Sequence, residues 1–223
     1  LTIYIEGDGV AYISRSRPST DPTPDDPIAL RLAIAGGDGP SLYMARPCQY
    51  LESGPSNACD VSHWTTERFS RDVVGAFVAA ITRYTASSNA EVILVGYSGG
   101  GVLATLVAQR LPKVRGLITV AAPIDHGAWI RHHRVSPLRG SLDPMEQSGI
   151  ERLAGLPQVH FVGGKDEIVP LSVLGAFRAR VAPVAPLKTW QVKAFDHQCC
   201  WAEQWPSLFG KAMDFIAASP PRT

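Results

Sequence analysis

The chain has 223 residues, 45% of them hydrophobic and 18% charged, and 21 Lys and Arg against 20 Asp and Glu leave a net charge near +1. That composition describes a globular chain long enough to bury its own core, and it excludes intrinsic disorder. The balanced charge argues against a broad nucleic-acid-binding surface, and no apolar run comes near the ~20 residues of a transmembrane segment.

Leu1-Thr2-Ile3-Tyr4-Ile5 reads as a buried strand. A native chain rarely starts in a core strand, so the numbering is expected to begin after a removed segment. The turn Glu6-Gly7-Asp8-Gly9 follows, then a Ser-, Arg-, Pro- and Asp-rich surface loop over 14–27. A short helix is predicted over 28–35 and a second strand over 41–45. Residues 71–85 carry Val74, Phe77, Val78 and Ile81 at helical spacing. A strand over 91–96 leads into a helix over about 99–110, with Val102, Leu103, Leu106 and Val107 on its buried side. Further strands are predicted over 114–120, 158–162 and 186–192, and further helices over 169–180 and 201–217. Residues 122–155 have no strong period. Apolar strands alternating with helices imply an α/β fold, with a mostly parallel central sheet of about six strands and helices on both faces. No repeat or linker divides the chain, so residues 1–223 read as one domain with a small cap-like insert at about 122–155.

The four cysteines are Cys48, Cys59, Cys199 and Cys200. Their spacing does not suit zinc, and no metal or organic cofactor is implied. A Cys48–Cys59 bond would close a short loop and contribute about 2.8 kcal/mol. Adjacent Cα atoms lie about 3.8 Å apart, below the usual disulfide range, which disfavours Cys199–Cys200. Three complete pairings remain open. Four cysteines in this pattern point to an oxidising compartment, hence a periplasmic, envelope-associated or secreted protein.

Gly96-Tyr97-Ser98-Gly99-Gly100 fits G-x-S-x-G at the point where an apolar strand passes into an apolar helix. A tight turn there raises a serine hydroxyl above a sheet, and the glycines permit both the turn and close helix packing. A looser dinucleotide-like reading of Gly99 to Ala104 is a weaker rival, and no phosphate-binding G-x4-G-K-[ST] occurs. A serine hydroxyl needs a base. Of the six histidines, His197 lies in the loop after the last strand, where a base is expected. His160 sits inside a strand, His132 and His133 lie in the insert, His63 precedes Ser98, and His126 comes too early for the base but in reach of a pocket. Asp166 follows the strand over 158–162 through Gly163-Gly164-Lys165 and is the candidate orienting acid, with Glu167 and Asp125 as rivals.

These strings, together with Asp196-His197-Gln198-Cys199-Cys200-Trp201, resemble the α/β-hydrolases along nearly the whole chain, and in particular compact bacterial envelope esterase-like members. The resemblance implies that Ser98 is the nucleophile, His197 the base and Asp166 the acid, with an oxyanion hole partly made by the Gly99 amide. In this family a second donor comes from a loop after an early strand, often His-Gly-x. Here Glu6 replaces the histidine, and the Asp8 amide is the expected donor, with Gly9 next. The two acids of this turn are expected to pair with Arg15, Arg17 or Arg46, or else to receive a cationic group of the substrate.

The reaction implied is hydrolysis of a carboxylic ester or thioester of a small acyl substrate through a Ser98 acyl-enzyme. A peptidase, amidase or acyltransferase would use the same triad. A catalytically idle envelope binding module is the alternative of another class. Tyr97, Trp129 and Trp201 are the candidate pocket walls.

Overall fold

A computed structural model describes residues 1–14, 16–52, 59–88 and 90–220. Its centre is a six-stranded sheet of β1 (Thr2–Ile5), β2 (Ser41–Met44), β3 (Val92–Tyr97), β4 (Val114–Val120), β5 (Gln158–Gly163) and β6 (Leu187–Val192). Every pairing is parallel, in the order β2-β1-β3-β4-β5-β6. The interior strands are apolar on both sides because helices cover both faces. All six residues of β3 and of β5 are buried, whereas edge strands β2 and β6 alternate or stay half-exposed.

The helices among the described residues are α1 (Ile28–Ala35), α2 (Arg71–Tyr84), α3 (Gly99–Ala108), α4 (His126–His133), α5 (Gln147–Glu151), α6 (Gly175–Val181) and α7 (Trp201–Ala218). Strand pleating sends Ile3, Ile5 and Leu94 to one face, where they meet Phe77 and Ile81 of α2, Leu106 of α3 and Phe177 of α6. Tyr4 and Val95 point to the other face, against Leu32 of α1 and Trp201 and Trp205 of α7.

Strand order reverses at β1, whose neighbours are β2 on one side and β3 on the other. Chain connections leave in opposite directions there, opening a crevice at the carboxyl ends of β1 and β3. The register pairs Ile5 with Gly96, which brings the turn after β1 beside the turn after β3.

Two predicted elements differ from what is observed. The expected helix over 169–180 is broken into a 3-10 turn (Leu171–Leu174) and α6. Asp166 takes the amides of Ile168 and Val169, and Pro170 holds an extended conformation, so a regular helix starts only at Gly175. The segment 122–155, without clear period in sequence, contains α4 and α5. Asp125 caps α4 by accepting from the Ala128 amide at 2.8 Å.

Disulfides join Cys48 to Cys59, and Cys199 to Cys200 against the expectation from residue spacing. Among the described residues, no helix is long and apolar enough to cross a membrane.

Candidate active site

Ser98 stands alone between the last residue of β3 and the first of α3, at φ 49° and ψ −123°. A non-glycine residue in that conformation costs on the order of 1–3 kcal/mol, so its surroundings must hold it there. The Ser98 amide donates to the Val120 carbonyl of β4 at 2.8 Å, and the Ser98 carbonyl accepts from the Gly101 amide at 2.9 Å. A side chain at Gly100 would run into the carbonyls of Ile5 and Glu6, so glycine lets the start of α3 press against the end of β1. The Ser98 side chain is thereby lifted off the carboxyl edge of the sheet.

His197 and Asp166 meet it from the loops after β6 and β5. Nε2 of His197 lies 3.1 Å from Ser98 Oγ, and Nδ1 lies 2.9 Å from Asp166 Oδ2. A carboxylate only accepts, so Nδ1 carries the proton and Nε2 is left as acceptor toward the serine hydroxyl. The second oxygen of Asp166, Oδ1, accepts from the Ile168 and Val169 amides at 2.9 and 2.7 Å. The Asp166 side chain is fully buried and that of His197 is 13% exposed.

The loop bearing His197 is pinned on several sides. Asp196 Oδ1 accepts from the amides of Gln198 and Cys199. The His197 carbonyl accepts from the Tyr97 hydroxyl at 3.1 Å and from the Trp201 indole at 2.9 Å. Across the site, α4 holds the segment after Asp166: Trp129 Nε1 and His133 Nε2 reach the Ile168 carbonyl, and His132 Nε2 reaches that of Glu167. His132 and His133, which the sequence places in the insert, lie on α4, with His132 exposed and His133 half-buried.

The turn after β1 divides its two acids. Glu6 faces α1, where its carboxylate accepts from the amides of Gly7, Ala29 and Leu30 and from the Tyr43 hydroxyl. Burial pushes its pKa above the usual carboxylate value, and these bonds offset that only in part. Asp8 faces Ser98. Its oxygens bridge Arg46 Nη1 at 2.8 Å and Arg68 Nη1 at 2.6 Å. Burial opposes its charge, but the two guanidiniums outweigh burial and hold its pKa below the usual range. Arg46 was among the expected partners; Arg17 does not take part, and Arg15 lies outside the described residues. Arg68 was not foreseen, because nothing in its local sequence signals an ion pair with a residue sixty positions earlier.

A cavity of about 230 Å³ opens beside Ser98, lined on its polar side by Asp8, Tyr12, Arg68 and His126 and on its apolar side chiefly by Phe69 and Trp129. Trp129 is thus the one predicted wall that lines it. Tyr97 and Trp201 do not: both are buried in the packing of the sheet against α7, at 7% and 0% exposure, and both reach the His197 loop from behind. Bulk and aromaticity marked them in the sequence, but those properties do not distinguish a wall from a core residue.

A family model described as the alpha/beta hydrolase family matches residues 16–215. No curated protein matches the chain. Among solved structures, puromycin hydrolase is similar at 15% identity and a TM-score of 0.64 over 97% of this chain and 33% of that one. An esterase of Pyrococcus furiosus is similar at 14% identity and a TM-score of 0.50 over 65% of this chain and 62% of that one. Est1E from Butyrivibrio proteoclasticus is similar at 13% identity and a TM-score of 0.61 over 98% of this chain and 88% of that one. The chain spans from 24% to 62% of the length of puromycin hydrolase and the Pyrococcus esterase.

Proposed function

The chain belongs to the alpha/beta hydrolase family, and on that premise we propose that it is a serine hydrolase cleaving carboxylic esters or thioesters of small acyl substrates. The observation that carries the reading is the unbroken relay from Asp166 Oδ2 through His197 to Ser98 Oγ, with bonds of 2.9 and 3.1 Å. In the proposed cycle, Ser98 Oγ attacks the carbonyl carbon while its proton passes to His197 Nε2. Asp166 keeps the imidazole in the required tautomer and stabilises the imidazolium. His197 returns the proton to the departing alcohol or thiol. Water, deprotonated by the same nitrogen, then releases the acid and restores Ser98.

The amides of Gly99 and Asp8 are the proposed donors to the tetrahedral oxyanion. Neither has a hydrogen-bond partner among the described residues. Each such donor is worth about 3 kcal/mol of barrier. The ion pairs of Asp8 support this role by fixing the turn and neutralising a carboxylate that would otherwise oppose a developing oxyanion.

An amidase or peptidase selecting a cationic group on this acidic turn is less well supported, since Asp8 and Glu6 are both already partnered. An acyltransferase would share the triad and differ only in the acceptor. The proposal takes residues 1–223 as one domain with 122–155 as a small cap. The Cys48–Cys59 bond supports a periplasmic, envelope-associated or secreted site of action.

Steady-state hydrolysis of short p-nitrophenyl esters tests the reading. Wild type should turn over the acetate or butyrate, and Ser98→Ala should lower kcat by at least about a thousandfold. An idle binding module would turn over neither, and equal rates in the two proteins would refute the assignment of Ser98.

A further inference from the structure

Two side chains with an uncommitted nitrogen, Arg68 and His126, line the cavity beside Ser98. Arg68 spends Nη1 on Asp8 and Nε on the Thr65 carbonyl, both at 2.6 Å, which leaves Nη2 without a partner among the described residues. Its side chain is only 11% exposed and it lines the cavity. His126, on the first turn of α4, lines the same space at 6% exposure. Its ring stacks on Phe69 at 5.2 Å, and its Nε2 is buried with no partner among the described residues. A guanidinium nitrogen left unpaired beside a nearly buried imidazole in one small cavity points to an acceptor that arrives with the substrate.

The guanidinium specifies the chemistry of that acceptor. Arg68 is the one cationic side chain among the residues lining the cavity, and Asp8 takes only its Nη1, so a cationic edge is left at that space. Glu6 is turned away to the amides at the start of α1. Asp125 and Asp143, the other acids near His126, do not line the cavity and accept from the amides of Ala128 and Met145. A guanidinium edge with free N–H groups matches an anionic acceptor, and a planar carboxylate fits its geometry.

We propose that this cavity recognises an ester carrying a carboxylate, held between Arg68 Nη2 and the His126 ring while the scissile carbonyl lies at Ser98. A planar guanidinium with one edge already fixed gives the carboxylate a pre-oriented donor, and the imidazole supplies a second point that sets its distance from Oγ. Phe69 and Trp129 line the spacer between the two groups. The inference rests on the serine-hydrolase reading and adds the substrate class to it.

Matched ester pairs test it. On the acyl side, mono-p-nitrophenyl glutarate is compared with p-nitrophenyl valerate; on the alcohol side, 4-acetoxybenzoate is compared with phenyl acetate, with uncatalysed rates subtracted. Wild type should favour the carboxylate member of at least one pair by tenfold or more in kcat/KM. Arg68→Gln should bring that ratio near one, Arg68→Lys should restore part of it, and His126→Phe should reduce it severalfold. The readout is a ratio, so a general loss of rate in a variant does not mimic the effect. The wild-type ratio needs no variant to fold. Ratios of one or less in both pairs overturn the inference, as does a preference untouched by Arg68→Gln and His126→Phe. If neutral esters are hydrolysed in a Ser98-dependent way without carboxylate preference, this inference alone fails. If neither ester class is hydrolysed and Ser98→Ala changes nothing, the serine-hydrolase reading fails with it.

Discussion

Asp166 has no oxygen to spare: Oδ1 holds two backbone amides and Oδ2 holds His197 Nδ1. The first set fixes the carboxylate plane, and the second fixes the tautomer. Asp166→Asn preserves volume, but its side-chain amide can satisfy one set only by opposing the other. The expected result is a fall in kcat of about 10³- to 10⁴-fold with a small change in KM, measured by steady-state ester hydrolysis beside a thermal melt that stays near wild type. A drop under tenfold would remove Asp166 from the relay. That Ser98, Asp166 and His197 come together was legible in the sequence because each follows the end of a strand, where side chains project above a parallel sheet. Arg68 and the hold of Tyr97 and Trp201 on the His197 carbonyl were not legible. Those contacts join segments distant in sequence, and no local pattern encodes them.

At the scale of elements, β5 carries an ionisable side chain in its middle. His160 is 1% exposed, bonds Thr119 of β4 through Nδ1 at 2.8 Å, and meets the edge of Phe177 in α6. Burial, with a smaller push from Arg178, lowers its pKa from 6.5 to about 3. The folded state therefore refuses a proton that the unfolded chain accepts. Its contribution to stability is complete above pH 6.5 and is lost as pH falls toward 3, at about 1.4 kcal/mol per pH unit. Urea unfolding between pH 7 and pH 4.5 should show this slope on top of that from other groups, and His160→Phe should remove it. An unchanged slope in the variant would mean that His160 is protonated in the fold. The strands themselves were readable because burial on both faces writes continuous apolar runs. The segment 169–180 was misread as one helix because its apolar spacing is helical, while Asp166 and Pro170 take the first amides out of helical use.

For the molecule as a whole, the order β2-β1-β3-β4-β5-β6 does the positioning. The reversal at β1 opens the crevice between its turn and the Ser98 turn, and β3, β5 and β6 on one side of it deliver Ser98, Asp166 and His197. The near-neutral balance of 21 basic and 20 acidic residues conceals a local arrangement of two arginines about one aspartate at that crevice. Composition averages such features away, which is why the fold class was legible at this scale and the chemistry of the cavity was not. The central claim is that Ser98 is an activated nucleophile that forms a covalent intermediate. Intact-protein mass spectrometry after treatment with a serine-reactive fluorophosphonate tests it most directly. One phosphonyl group per chain is expected, mapped to the peptide containing Ser98, and none on Ser98→Ala. Labelling of the two proteins to the same extent, or a modification mapped elsewhere, would contradict it.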